Sequence, residues 1–139
     1  MQIGDRNFPL SHLAIAVKAL DEASPMYAAM GFSLHEPEVI EREKVRARLV
    51  TKGGFRIELL EAFPAGEGPI AKFIEKRGPG LHHRALTTSD MDGDLAALAK
   101  AGVVPLKGYP AAGMGGSRVA FLDPKTTGGV LIELVGAAH

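Results

Sequence analysis

Cysteine is absent from this 139-residue chain. That excludes a disulfide framework, a thiol nucleophile and any metal site built on thiolates. Tryptophan is absent too, and aromatic residues make up only 6%. No charge of one sign is in excess, because 16 Lys and Arg face 16 Asp and Glu. Nothing therefore favours a nucleic acid or an anionic membrane as partner. No apolar run approaches the ~20 residues of a membrane span. The start, Met1-Gln2-Ile3-Gly4-Asp5-Arg6, lacks a basic region followed by an apolar one, so no signal peptide is expected. The expectation is a soluble, cytoplasmic protein. What the chain does have is 46% apolar residues, enough for a true core, and 17 glycines, several of them where strands must turn.

The sequence repeats itself. Ser11-His12-Leu13-Ala14-Ile15-Ala16-Val17 has the alternation of a strand, and His82-His83-Arg84-Ala85-Leu86 echoes it half a chain later. Each is followed by an acidic turn, a helix-like segment and a glycine. His12 to Gly31 and His83 to Gly102 both span 19 positions. Near the end of each copy a Gly-Gly pair precedes a strand, and Glu58 and Glu133 each follow the second of those glycines by four positions. Two copies of one unit, each opening on a histidine, indicate a duplicated module.

Within the first copy, residues 9–17 read as a strand whose His12, Ala14 and Ala16 face is small-sided, as expected where a sheet lines a cavity. Leu13, Ile15 and Val17 point the other way, toward a helix. Asp21 is the expected helix cap. Pro25 argues for a helix start after Asp21, and Gly31 for its end. Strands are expected over 32–38, 45–50 and 55–60, with Glu41-Arg42-Glu43-Lys44 as a solvated turn and Lys52-Gly53-Gly54 as a hairpin. Residues 69–77, opened by Pro69 and closed by Gly78, read as an amphipathic helix joining the copies. The second copy reads as a strand over 81–88, a helix over 90–101, a short strand over 103–106, and strands over 118–122 and 130–135.

His12, Glu58, His83 and Glu133 form a matched set, one imidazole and one carboxylate from each copy. A glutamate inside an Ile-Glu-Leu strand is costly to bury unless it is paired, protonated or bound to a cation. Two imidazoles and two carboxylates suit a divalent first-row metal such as cobalt, nickel, manganese, iron or zinc. The bland alternative is two solvated glutamates and two ordinary half-buried histidines, and the duplication weighs against it. His82 competes with His83 for the ligand role. The gapless repeat pairs His83 with His12, which sets Arg84 awkwardly opposite Leu13. His35 reads as a surface strand residue. Gly113-Met114-Gly115-Gly116 lacks the following helix and lysine of a phosphate loop, and reads as a lid or tight turn. Lys125 reads equally as a surface lysine or as a group reaching a substrate carboxylate.

This arrangement resembles the vicinal oxygen chelate superfamily, which includes glyoxalase I, extradiol dioxygenases, fosfomycin-resistance enzymes and bleomycin-binding proteins. Within it the chain is most similar to the methylmalonyl-CoA epimerases. The likeness rests on His12 to Val17, Arg56-Ile57-Glu58-Leu59-Leu60-Glu61, residues 69–78 with Leu81-His82-His83, and Pro124-Lys125-Thr126-Thr127-Gly128-Gly129 running into Val130 to Leu134. The resemblance implies an α+β fold, two tandem βαβββ modules forming one cupped mixed sheet around a metal. It implies one domain over 1–139, with module one at about 8–62, the linking helix at about 69–77 and module two at about 80–136. It also implies a homodimer.

The implied activity is inversion of the carbon between the thioester and carboxylate of a 2-methyl-branched malonyl-type acyl-CoA, with Glu133 and Glu58 as acid/base groups. Gly115, Gly116 and Lys125 are candidate substrate contacts. The chain departs from the pattern at several places. Some epimerases carry glutamine at the position of Glu58, and glyoxalase I carries glutamate. A second glutamate that some epimerases place on the third strand corresponds to Ala47 here. Pro-Glu-Gln ahead of that strand is replaced by Glu41-Arg42-Glu43-Lys44, and a histidine before Pro-Lys by Asp123. The alternatives are a glyoxalase-I-like lyase acting on a glutathione hemithioacetal, and a protein that sequesters a small molecule. The second has no need of four metal ligands. A two-His, one-carboxylate iron dioxygenase needs more open positions than this set leaves.

Overall fold

The computed structural model describes residues 6–136. These residues hold nine strands and three α-helices, the α+β class that the resemblance implies. The chain divides into two compact units. One is residues 12–82, and the other is residues 83 onward together with the N-terminal stretch up to Ser11. No helix among the described residues is long and apolar enough to cross a membrane.

The unit of residues 12–82 is built from β1 (Leu10–Ala16), α1 (Leu20–Ala29), β2 (Ser33–Leu34), β3 (Glu38–Ile40), β4 (Val45–Lys52), β5 (Phe55–Ala62) and α2 (Gly68–Arg77). Its strands run in the order β2-β4-β5-β1, with β3 also on β4. β1 and β5 are parallel, and β4 and β5 form the expected hairpin, with Gly53 at φ +60° supplying the left-handed turn residue. Val17, Leu20, Tyr27, Val50, Ile57 and Leu59 form the core, with Ile15, Ala23 and Phe32 packed against it. α1 therefore lies on the Ile15, Ile57 and Leu59 side. Strand alternation then puts Glu58, between Ile57 and Leu59, on the opposite face.

Three local expectations differ from what is observed. Asp21 does not cap α1. Ala19 occupies the cap position, and the carboxylate of Glu61, reaching over from β5, accepts from the Leu20 backbone N–H at 3.1 Å. That tertiary bond fixes the helix start ahead of Pro25, which sits inside the helix at the loss of one backbone hydrogen bond. The expected strand over 32–38 is two short strands, because Pro37 has no N–H to continue the ladder. The small-sided face of β1 is not open at its alanines: Ala14 and Ala16 are fully covered.

The second unit contains β6 (Gly80–Thr88) from His83 on, α3 (Met91–Lys100), β7 (Ala111–Ala112), β8 (Arg118–Leu122) and β9 (Ile132–Gly136), in the order β6-β9-β8-β7. β6 and β9 are parallel, while β8 and β9 are antiparallel. Met91, Ala120, Leu122 and Leu134 make its core, joined by Phe8, Leu86, Leu95, Leu98, Val103, Tyr109 and Ile132. Asp90 caps α3 by accepting from the Gly93 N–H. Asp94, buried in the first turn, accepts from Arg6 at 2.7 Å and from the Thr88 hydroxyl. This ties the N-terminal segment to the helix.

The strand expected over 103–106 is not formed. Pro105 makes only an isolated bridge to Leu122, and Leu106 donates to the Phe121 carbonyl. The edge strand is instead β7. Gly113-Met114-Gly115-Gly116 is a tight turn, with Gly115 at φ +65° and Gly113 packed so closely on Val119 that a Cβ there would lie 2.5 Å from its side chain.

Candidate metal centre

In the unit of residues 12–82, Ala14 on β1 stands opposite Glu58 on β5 in the parallel register. His12, two residues before Ala14, shares its face. The His12 Nε2 lies 3.2 Å from a Glu58 carboxylate oxygen. The second unit repeats this offset. Ala85 stands opposite Glu133, His83 lies two residues before Ala85, and its Nε2 is 3.2 Å from Glu133 Oε1. The identical offset arises from strand pairing, so it is independent of the sequence alignment that suggested the repeat. His12 is 7% exposed, His83 3% and Glu133 8%.

Because neighbouring strand residues point to opposite faces, His82 turns away from His83. Its ring packs edge-on against Phe73 of α2 at 5.0 Å. The geometry thus pairs His83, not His82, with Glu133, and Arg84 falls on the helix-facing side as the repeat required.

A carboxylate held this deep loses much of its hydration, and neighbouring donors or a cation must compensate that loss. The donor chemistry of each pair fits a divalent cation. With metal–ligand distances of about 2.1 Å, two donors on neighbouring octahedral positions lie about 3.0 Å apart, and on neighbouring tetrahedral positions about 3.4 Å. The observed 3.2 Å in each unit lies between these values. Each unit therefore presents one nitrogen and one oxygen donor at a spacing that could serve a cation without moving the strands. The absence of cysteine leaves a hard-to-borderline N/O set, which suits the first-row divalent ions.

The other predicted residues are placed less decisively. Lys125 is exposed in the short 3-10 turn Pro124–Thr126, which Asp123 stabilises by accepting from the Lys125 backbone N–H at 3.0 Å. Gly115 and Gly116 are exposed at the tip of the tight turn. Ala47 pairs with Leu60 on the Glu58 side of β4 and is fully buried. No titratable group stands there. A cavity of about 530 Å³ in the second unit is lined by Arg6, Asn7, Pro9, Thr87, Ser89, Asp90 and Asp94 and includes none of the paired donors.

One neighbour of the centre was not anticipated from sequence. Phe121 stands opposite Glu133 in the β8–β9 register, and its ring meets the His83 imidazole edge to face, with centroids 5.0 Å apart and planes at 85°. Only strand pairing brings these residues together. The one signal in the chain is that Phe121 lies on the strand expected over 118–122, which precedes that of Glu133 in the chain.

A sequence profile of the glyoxalase/bleomycin resistance protein/dioxygenase superfamily matches residues 11–121. The ethylmalonyl-CoA/methylmalonyl-CoA epimerase of Cereibacter sphaeroides is 37% identical over 129 residues, covering 90% of this chain and 95% of the relative. The crystal structure of methylmalonyl-CoA epimerase from Mycobacterium tuberculosis superposes with a TM-score of 0.91 at 33% identity, over 99% of this chain and 94% of that one. A point variant of the Streptomyces coelicolor methylmalonyl-CoA epimerase, in complex with 2-nitronate-propionyl-CoA, superposes with a TM-score of 0.87 at 35% identity, over 95% and 96%. The duplicated strand–helix–strand pattern, the matched His–Glu pairs and these likenesses agree: the chain belongs to the glyoxalase/bleomycin resistance protein/dioxygenase superfamily.

Proposed function

We propose that the protein is a divalent-metal-dependent epimerase, an isomerase that inverts the α-carbon of methylmalonyl-CoA or another 2-methyl-branched malonyl thioester. The observation that carries this reading is the pair of equivalent His–Glu contacts, each at 3.2 Å. The epimerase names of the relatives, which span nearly the whole chain, support the substrate class. In this reading His12, Glu58, His83 and Glu133 hold one cation, cobalt by preference.

An α-proton next to a thioester is too weakly acidic to leave quickly at neutral pH. The cation, when bound, supplies positive charge for the thioester oxygen as that proton departs. The chain's own part is proton movement. A carboxylate has two oxygens, so Glu133 can give one to a cation and exchange a proton through the other. The C–H bond breaks with its electron pair left on the substrate, and the proton passes to the carboxylate. Inversion then requires return of a proton to the opposite face, and Glu58 is the second group of the matching type. Ala47 offers no alternative base. Lys125, Gly115 and Gly116 are the proposed substrate contacts, and a homodimer is the proposed assembly.

Loading the metal-free protein with Co²⁺ and following deuterium incorporation at the α-carbon of methylmalonyl-CoA by NMR tests this directly. Exchange that requires the metal is the expected result. Glu58 in place of a glutamine favours one second reading, a glyoxalase-I-like lyase. Turnover of a methylglyoxal–glutathione adduct without exchange on methylmalonyl-CoA would establish it. Tight ligand binding with neither activity would indicate a sequestering protein.

A further inference from the structure

We propose that Arg84 anchors an anion site in the second unit, one that takes the phosphate groups at the nucleotide end of an acyl-CoA. Arg84 is where the duplication breaks, since the first copy has Leu13 at this place. In the β6–β9 register it stands opposite Ile132, which in turn stands opposite Leu122 on β8. Cross-strand partners share a face, so Arg84 lies among apolar neighbours on the helix-facing side. It is half-buried, and among the described residues neither a carboxylate nor any other acceptor engages its guanidinium. An arginine that has lost part of its hydration is ordinarily paired with an acid. Here its N–H donors are left for water or for a ligand.

The surroundings select an anion. The Arg84 backbone N–H donates to the Leu131 carbonyl at 3.4 Å, and the Asp123 N–H donates to the Val104 carbonyl at 2.8 Å. The Val104 N–H donates to the Thr126 hydroxyl oxygen at 3.3 Å, and Val103 donates back to Leu98 in α3 at 3.0 Å. These bonds gather the start of the β6–β9 ladder, the end of α3 and the turn of residues 123–131 at one end of the unit. Lys100, Lys107 and Lys125 are exposed in these stretches, and none is in an ion pair among the described residues. The one acid there is Asp123, whose carboxylate accepts from the Lys125 backbone N–H at 3.0 Å. The end is therefore positively charged around a half-buried guanidinium. A guanidinium binds phosphate through paired N–H···O bonds, and an ammonium adds a point charge beside it.

The choice of acyl-CoA rests on the proposed function, whereas the anion site rests on the geometry. His83 and Glu133 adjoin Arg84 and Ile132 in the chain and lie on the opposite face. β9 begins at Ile132, so the donor pair and Arg84 both lie beside one strand end. A substrate with its thioester at the donor pair would pass its pantetheine arm over the start of β9, toward Arg84 and Lys125. That arm is long enough to round a sheet edge, since packed layers lie only about 10 Å apart.

Calorimetric titration of the metal-free protein tests this with CoA, with pantetheine, which lacks the nucleotide, and with inorganic pyrophosphate. Arg84→Leu installs the residue of the first copy. It should weaken CoA about tenfold, the loss of one charge-assisted contact, and leave pantetheine within about twofold. Lys125→Ala should weaken CoA by less, because an exposed charge is screened by salt.

If Arg84→Leu does not fold, Arg84→Gln is judged by the same criterion. A folded Leu or Gln variant with wild-type CoA affinity would overturn the proposal, as would one that loses pantetheine to the same degree. Pyrophosphate separates the site from the reaction. Binding in wild type that is lost in Arg84→Leu, in a protein that exchanges no deuterium into methylmalonyl-CoA, would uphold the anion site and refute the epimerase reading alone. Metal-dependent exchange, with CoA bound equally well by wild type and Arg84→Leu, would keep the epimerase and overturn the site.

Discussion

Adjacent histidines on one strand make a sharp experiment, because they share sequence context and differ only in face. His83 is buried beside Glu133 at 3.2 Å, and His82 packs on Phe73 at 5.0 Å. A closed four-ligand zinc site has an apparent binding free energy of about 10–16 kcal/mol. One donor's even share is about 3 kcal/mol, so His83→Ala should weaken cobalt binding by roughly 10²–10³-fold. His82→Ala should leave metal affinity within about twofold, since its ring points away. Its cost is the lost aromatic pair, about 0.5–1.5 kcal/mol of folding stability. Competition against a chelator of known affinity reads the first quantity, and urea denaturation of the metal-free proteins reads the second. The two variants must show opposite patterns. Loss of metal binding in His82→Ala, with binding kept in His83→Ala, would refute both the strand register and the pairing of the repeats.

Three further outcomes follow from contacts outside the donor set. Glu61→Ala removes the side chain that accepts from the Leu20 N–H and lies 3.6 Å from Arg46. It should cost about 0.5–2 kcal/mol in urea denaturation, the range of a lost helix cap. Leu20→Ala empties a fully covered core position and should cost about 2–5 kcal/mol, with metal affinity unchanged in the folded fraction. Burial raises the pKa of Tyr27 above its ordinary value of 10.0. Its folded form therefore keeps the proton after the unfolded chain has lost it, so stability should fall as the pH rises above 10. Tyr27→Phe, which keeps the edge-to-face contact with Phe32, should flatten that alkaline loss in a pH series of thermal melts.

Much of the fold was legible because the duplication could be checked against itself. The interval from histidine to glycine and the step from Gly-Gly to glutamate each occur twice, and both depend on local chain length. What escaped was set by partners distant in sequence. The start of α1 is fixed by Glu61, 41 residues away, which no local cap signal can reveal. Pro37 split a strand and Pro105 reduced another to one bridge, and both prolines were visible beforehand. Their effect depended on which N–H the neighbouring strand would need, and that is a matter of pairing. The same holds at the centre. Glu58, Glu133 and the two histidines could be read from spacing, whereas Phe121 could be found only through the β8–β9 register.

The placement of these residues separates stability from chemistry. In β5, Ile57 and Leu59 face α1 and belong to the core, while Glu58 between them faces His12. In β9, Leu134 is a core residue and its neighbour Glu133 faces His83. A strand slip of one residue would exchange the two sets, burying a carboxylate in the apolar core and turning a leucine onto the donor face. The apolar packing of each helix therefore holds the donor register in place: the core energy that folds each unit also prevents the His–Glu pair from drifting out of line. A mutation on the helix side that keeps the register should lower stability and spare the donors. A mutation on the donor side should do the reverse, because the carboxylates on that face take no part in the apolar cores. This is why Leu20→Ala and His83→Ala, in different units and on different faces, are expected to have separable effects rather than a shared one.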